Sequence, residues 1–232
     1  MTGASVVRAR TAQRIAVVGR LGVYPMVRLN VPGRRLVAFL AVHCGSAARS
    51  VVSAHLWPDQ PEQHGRANLR RALWQLPSGW VTSVGGELVL NAAVDLDDAR
   101  AAAGMAISGA ALTLEQIEML SNDLLPGWHE EWLVGHQEAF RLLRVQALER
   151  ACRVLALAGE HVLATQAGAA ALTAEPLRES AAAALIDAHL AEGNRFEAAR
   201  RYRAFARLLN DELGVTPDPG LTARLGGLVR SA

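Results

Sequence analysis

The sequence contains no lysine, so all 24 of its basic residues are arginines. Cysteine is nearly absent as well: Cys44 and Cys152 each lie in an apolar stretch, which predicts buried thiols in a reducing cytoplasm. The longest uncharged run, residues 72–86, is interrupted by proline and glycine and is too short to span a membrane. Residues 1–20 carry four arginines and no apolar core, so we expect no signal peptide and a cytoplasmic protein.

The charges are distributed unevenly along the 232 residues. Residues 1–97 hold eleven arginines and five acidic residues, a balance of +6, whereas residues 98–232 hold thirteen arginines and seventeen acidic residues, a balance of −4. Such asymmetry predicts that the first part meets a polyanion. Arginine also suits bidentate contacts with phosphate and guanine, although codon bias in a GC-rich genome explains its abundance equally well.

The first hundred residues alternate strand-like and helical patterns. The pattern predicts strands at 15–18 and 26–31, helices at 34–44, 51–56 and 62–76, and a hairpin of 80–82 with 87–90. Gly45 suits the end of the first helix, Ser50 the N-cap of the second, and Gly85-Gly86 the tip of the hairpin. The order helix, turn, helix, hairpin predicts a winged helix.

The second half of the chain is helical and contains a repeat. Two similar segments place Gly159 and Gly193 34 residues apart, which is the tetratricopeptide period. We therefore predict a mainly α fold with an α+β N-terminal part: a winged helix-turn-helix followed by a tetratricopeptide-like helical domain. The predicted boundaries are a disordered tail at 1–13, the winged-helix domain at 14–98, a linker or weak helix at 99–119 and the helical domain at 120–232.

No catalytic or metal-binding constellation is evident. His129 and His136 lie seven positions apart, which does not match zinc-binding helical motifs, and no phosphate-loop, dinucleotide or nucleophile-elbow motif occurs. Asp95, Asp97 and Asp98 are interpreted as the N-cap and first-turn acids of a helix. The sequence predicts no enzyme, no metal and no cofactor.

The predicted helix 62–76 has two chemically different faces. Its apolar residues fall on one side, and we expect its opposite side to be basic without compensating acids at the i+4 spacing. Arg, Gln and Asn are the side chains that read guanine and adenine edges, whereas the alternative is an ordinary solvated face. Together with Arg49 and Ser50 of the preceding helix, the predicted DNA contacts are Gln63, His64, Arg66, Ala67, Asn68, Arg70, Arg71 and Trp74.

Two tryptophans have structural interpretations. Trp57, before Pro58, is predicted to fill the core of the small domain. Trp74 lies on the polar side of its helix, and the sequence leaves open whether it packs under the hairpin or along a DNA backbone.

Several segments resemble a known family. Residues 53–59 (SAHLWPD) and 66–74 (RANLRRALW) resemble the DNA-binding domain of Streptomyces antibiotic regulatory proteins. Residues 124–128 (LLPGW), 175–180 (EPLRES) and 211–217 (DELGVTP) resemble the bacterial transcriptional activator domain that follows it. The resemblance covers about residues 14–228, and we expect a member without an ATPase module.

The resemblance implies a cytoplasmic, nucleoid-associated activator of a biosynthetic gene cluster. Its implied partners are promoter DNA, bound at direct repeats near the −35 element, and RNA polymerase, with homodimers on DNA and no membrane. One departure concerns the wing, where Glu87 follows the glycines and would repel phosphates. This favours an alternative, a helical protein-interaction adaptor with a degenerate winged helix that does not bind DNA.

Overall fold

The computed structural model describes residues 13–225, which form two compact units. The winged-helix unit comprises residues 13–98 together with 123–139, and the helical unit comprises residues 99–122 together with 140–225. Both unit types agree with the predicted fold class, but the boundaries differ from the predicted ones because residues 123–139 pack with the winged helix. The predicted tail, 1–13, lies outside the described residues except for Gln13.

The winged-helix unit contains two small sheets and three consecutive helices. The first sheet has the order β2-β1-β6, with β1 antiparallel to β2 and parallel to β6. The second sheet, β3-β5-β4, is antiparallel. The elements are β1 (Arg14–Ala16), β2 (Gly22–Tyr24), α1 (Val31–Val42), β3 (Ser46–Ala48), α2 (Arg49–Leu56), α3 (Glu62–Trp74), β4 (Val81–Val84), β5 (Glu87–Leu90) and β6 (Ala93–Val94).

The predicted hairpin is confirmed as the pair β4 and β5, whose facing ends are Val84 and Glu87. Gly85 and Gly86 connect the strands with φ angles of +57° and +89°. Two consecutive positive φ angles belong to the tight turn that matches the twist of paired strands, and glycine adopts them without strain. We call this hairpin the wing.

Four local predictions are wrong. The second strand precedes Pro25 rather than following it, because β2 pairs with the neighbouring β1 across a short loop. Ser50 does not cap α2, which begins at Arg49 after Ala48. Trp57 is only half-buried, whereas Trp80 is buried in the core. Cys44 is exposed because it lies two residues after Val42, the last residue of α1, where the backbone turns to a φ of +57°.

Residues 123–139 are held to the winged-helix unit by backbone and side-chain contacts. The Leu125 amide donates to the Val17 carbonyl at 2.9 Å, which extends the chain beside β1. Arg35 of α1 forms an ion pair of 2.7 Å with Glu130. The Trp132 ring meets the Phe39 ring edge-on, with 5.1 Å between the ring centroids. This segment therefore covers part of the core that α1 would otherwise expose.

Asp95, which follows β6, connects that strand to the residues after the central strand β1. It begins α4 (Asp95–Ile107), is buried, and accepts a hydrogen bond of 2.8 Å from the Val17 amide. Burial raises the pKa of the Asp95 carboxyl, and the hydrogen bonds from the Val17 and Val18 amides oppose that rise. Asp97 and Asp98 complete the acidic first turn, as interpreted from the sequence. The same helix occupies residues 99–107, the first part of the segment 99–119 that was predicted to be a linker or a weak helix.

The helical unit contains the predicted repeat. Gly159 and Gly193, both with positive φ, each lie two residues after the end of one helix and two before the next. The helix α7 packs against α8, and α8 packs against α9. The elements after α4 are α5 (Leu114–Leu120), α6 (Glu131–Leu157), α7 (His161–Ala174), α8 (Glu179–Ala191), α9 (Arg195–Leu213) and α10 (Pro219–Ala223).

A buried carboxylate ties α6 to the start of α8. Glu149 accepts hydrogen bonds from Arg178 at 2.7 Å and Ser180 at 2.9 Å, and pairs with Arg153 at 2.7 Å. Burial alone would raise the pKa of Glu149, but these donors outweigh burial and hold the pKa below its usual value. Arg178 and Ser180 both belong to the segment 175–180 that carries the family resemblance, so that segment has a structural role.

Candidate nucleic-acid interface

The helix α3 is positioned by close contact with α2. Gly65 is buried on the side of α3 that faces Ser53 of α2, and a Cβ atom there would lie 2.7 Å from the Ser53 hydroxyl oxygen. Leu69 and Ala72, further along the same side, are also buried. The amphipathic pattern therefore turns α3 as predicted, with its polar side directed outward.

Five of the predicted DNA contacts surround one groove. Arg49 and Ser50 enter it from the start of α2, and Gln63, Arg66 and Arg70 enter it from α3. Leu69 and Gly86 complete the lining, and the groove has a volume of about 670 Å³. The fold thus brings the second and third helices and the tip of the wing together around a concave, arginine-rich surface.

A smaller groove of about 240 Å³ adjoins this surface on the side of the wing. Arg49 and Arg70 line both grooves, and Trp74, Thr82 and Ser83 line only the smaller one. The Arg49 guanidinium donates to the Ser83 hydroxyl at 3.4 Å, so α2 and the wing are in contact. Trp74 is 90% exposed, which decides the question that the sequence left open: it does not pack under the hairpin.

The remaining predicted residues lie at the centre of the outward face or on its other flank. His64 and Arg71 are exposed, whereas Ala67 and Asn68 are half-buried, and none of the four lines either groove. At 100° per residue, Ala67 lies near the centre of the exposed face between the two flanks. A small side chain at that position leaves the helix backbone accessible.

The electrostatics of the face differ from the prediction in one respect. Glu62 stands four residues before Arg66 and forms an ion pair with it, so the face does carry a compensating acid. Within residues 13–225, Arg70 and Arg71 have no carboxylate partner. Glu87 is exposed at the base of the wing turn and pairs with none of the described residues.

Sequence reasoning missed the wing residues Thr82 and Ser83 and the strand β3. The strand β3 pairs with β5 from Ser46 to Ala48, and the Arg49 amide that follows it donates to the Gly86 carbonyl at 3.2 Å. This pairing places Arg49 beside the wing. Ser-Ala-Ala has no β-propensity that would have revealed it.

The described part of the chain contains neither a metal-binding cluster nor a membrane-spanning helix. Between residues 13 and 225, no three His, Cys, Asp or Glu side chains converge as a metal site. Over the same residues, no helix combines the length and the apolar composition that a membrane crossing requires.

Comparisons with known proteins agree with this architecture. The model of the bacterial transcriptional activator domain matches residues 87–226. A solved structure, Mycobacterium tuberculosis EmbR in complex with a low-affinity phosphopeptide, superposes with a TM-score of 0.63 at 20% identity. The superposition covers 94% of this chain, which spans 65% of the EmbR chain, and it confirms the predicted fold class.

A search of curated proteins gives no significant match. The matched family is one of transcriptional regulators rather than enzymes. The chain belongs to the bacterial transcriptional activator domain family, as its resemblance to Streptomyces antibiotic regulatory proteins predicts.

Proposed function

We propose that the chain is a DNA-binding transcriptional activator whose helix α3 enters the major groove of promoter DNA. The observation that carries this proposal is the groove in which Arg49, Gln63, Arg66 and Arg70 meet the tip of the wing. Arginine binds guanine O6 and N7 with two hydrogen bonds, and glutamine binds adenine in the same way. A concave surface with three arginines also matches the phosphate backbone.

The residues differ in their proposed roles. Arg70 lines both grooves and has no carboxylate partner among the described residues, so it reads a guanine. Arg49 and Ser50 lie at the start of α2, where backbone amides favour phosphate, and they fix the protein on the backbone. Trp74 contributes an apolar surface for deoxyribose or a thymine methyl group.

His64, Ala67, Asn68 and Arg71 form the opposite flank of the inserted helix. His64 and Arg71, which are exposed and seven residues apart, lie on the same side of α3 and contact the second wall of the groove. Between the two flanks, the small side chain of Ala67 allows the backbone of α3 to approach the DNA closely. Arg66 divides its charge between Glu62 and DNA, and therefore contributes less than Arg70.

At the level of the promoter, we propose that two protomers bind direct repeats near the −35 element and recruit RNA polymerase to a biosynthetic gene cluster. Family membership supports this proposal. The helical unit also supports it, because stacked helix pairs form extended protein-binding surfaces. The proposal places the protein in the cytoplasm, at the nucleoid.

The experiment is a fluorescence-anisotropy titration of the full chain with the DNA upstream of its own gene, at about 50 and 200 mM salt. We expect specific binding with a steep salt dependence, weakened by Arg70→Ala. The matched control is Arg203→Ala, an exposed arginine of α9 in the helical unit. Equal effects of the two substitutions would contradict a specific role for the groove.

The wing supports a second function, a protein-interaction adaptor that does not bind DNA. Glu87 is exposed beside the turn that would approach the minor groove, and the Glu62–Arg66 pair lowers the positive charge of α3. The same titration separates the two functions. An adaptor would show no salt-dependent preference for the upstream DNA over an unrelated duplex of equal length.

A further inference from the structure

A second arginine-rich groove lies in the winged-helix unit, apart from the one proposed to bind DNA. It is formed by residues 20–29 and Arg34, has a volume of about 520 Å³, and shares no lining residue with the grooves beside α3. Its lining includes three exposed arginines, Arg20, Arg28 and Arg34, and no acidic residue. We call it the β2 groove.

The charge of the β2 groove is uncompensated. Within residues 13–225, the guanidinium groups of Arg20, Arg28 and Arg34 form no hydrogen bond and no ion pair. Their neighbour Arg35, by contrast, pairs with Glu130 at 2.7 Å. Three like charges around one concavity repel one another, so a ligand with negative charge relieves a cost that the folded chain bears alone.

The β2 groove also exposes apolar side chains. Met26 is 89% exposed and Tyr24 is 50% exposed, and half-buried Leu21, Val23 and Leu29 line the groove beside them. Single exposed apolar residues are common, but a cluster in one concavity marks an interaction site. Tyr, Met and Arg are the residue types that protein–protein interfaces concentrate, whereas surfaces for DNA are more polar.

The backbone provides a third feature. In the described sheet β2-β1-β6, β2 pairs only with β1 and is therefore an edge strand. An edge strand presents backbone donors and acceptors to which an extended peptide can add. Acidic side chains of such a peptide would reach the arginines, and its alternate apolar side chains would cover Tyr24 and Met26.

We propose that the β2 groove binds an extended segment of a partner protein in which acidic and apolar residues alternate. The site is separate from the DNA surface, so its occupancy does not depend on the proposed function. It gives the winged-helix unit a contact with a protein in addition to the contact with DNA.

The experiment measures the anisotropy of two fluorescein-labelled peptides of about twelve residues, long enough to pass the three-residue strand at both ends. One peptide alternates glutamate with valine, and the other alternates glutamate with serine and carries the same charge. We expect the full chain to bind the first about tenfold more tightly than the second. Met26→Ser should remove most of this preference, because it removes an apolar contact and no charge.

The contribution of the groove's positive charge to peptide binding is tested with Arg28→Glu. The matched control, Arg203→Glu, lies outside the groove. Arg28→Glu should weaken binding of the glutamate–valine peptide about tenfold, and the control should leave it unchanged; thermal melts confirm that both variants are folded. Equal weakening by both variants, or equal affinity for both peptides, would overturn the proposal. A loss of duplex-DNA affinity in Arg28→Glu with unchanged peptide binding would overturn it too, and would assign the groove to DNA.

Discussion

Gly65 of α3 and Ser53 of α2 approach so closely that a Cβ atom on Gly65 would lie 2.7 Å from the serine hydroxyl oxygen. The next nearest atom, the Ser53 carbonyl oxygen, would lie 3.6 Å away, at ordinary van der Waals distance. A Cβ atom at position 65 therefore requires the Ser53 hydroxyl group to move. The contact sets the distance between the two helices that form the groove proposed to bind DNA.

We predict that the effect of Gly65→Ala on the free energy of unfolding changes sign with the residue at position 53. With Ser53 present, the clash cancels the helix-propensity gain of about 1 kcal/mol and destabilises the protein, because overpacking costs about 1–3 kcal/mol. In a Ser53→Ala background the same substitution should stabilise it by about 0.5–1 kcal/mol. Urea unfolding of the four proteins of this double-mutant cycle provides the measurement, and additive effects would show that the two residues are not coupled.

Arg70→Ala should weaken specific DNA binding by about 1–3 kcal/mol and relax the preference at one base pair. Competition titrations with single-base variants of the upstream site would detect this relaxation. If Arg70 contacts only phosphate, affinity should instead fall evenly for all sequences, and the salt slope should fall by about one. No change in either quantity would remove Arg70 from the interface.

The substitution Glu87→Arg tests whether the wing approaches DNA. The structure leaves Glu87 exposed and unpaired within the described residues, so the substitution should not disturb the fold. If the wing approaches DNA, removing the repulsion should tighten binding, with most of the gain at about 50 mM salt and little change in sequence preference. Affinities that match those of the unmodified protein at about 50 and 200 mM would show that the wing remains away from the duplex.

Glu149→Gln should destabilise the helical unit at pH 7 by about 1–2 kcal/mol, because it removes the charged partner of Arg153 and Arg178, whose side chains are partly exposed and remain hydrated. The pKa of Glu149 is lower in the fold than its ordinary 4.5, so its ionised form stabilises the protein above pH 4.5. That stabilisation is lost as the pH falls through the lower folded-state pKa. The difference between the two proteins should therefore shrink in acid, whereas exposed Glu118→Gln, the control, should have little effect at either pH.

The two thiols should react at very different rates with an aromatic disulfide reagent at pH 8. Cys44 is exposed, whereas Cys152 is buried, donates to the Ala184 carbonyl at 3.4 Å, and has its pKa raised by burial to about 12. We expect one thiol per chain to react in the native protein and a second only after unfolding. Cys44→Ser should abolish the native reaction, and a persisting reaction would mean that α6 opens on the timescale of the assay.

An element could be predicted from the sequence where residues close to one another in the chain determine it, and could not where a distant pairing does. The polar face of α3 was predicted because a period of 3.6 residues is a local property, and the wing turn because two glycines impose it. The strand β3 was missed because only its pairing with the distant β5 makes it a strand. Cys44 was misjudged because the helical pattern ends two residues before it, where the backbone turns to positive φ.

The prediction that segment 124–128, which carries part of the family resemblance, belongs to the helical domain differs from the structure for the same reason. Leu124 pairs with Val18 across more than a hundred positions, and no periodic pattern reveals such a pairing. The Glu62–Arg66 pair, by contrast, was visible in the sequence at the i,i+4 spacing and was overlooked.

The contribution of residues 123–139 to the winged-helix unit has a consequence for inheritance. The chain passes from one unit to the other after residues 98, 122 and 139, so neither unit is one uninterrupted stretch of sequence. A gene fusion that transferred only residues 1–98 would leave behind Trp132, which covers Phe39, and Glu130, which pairs with Arg35. A single crossover therefore cannot transfer all of the winged-helix unit without also transferring residues 99–122 of the helical unit.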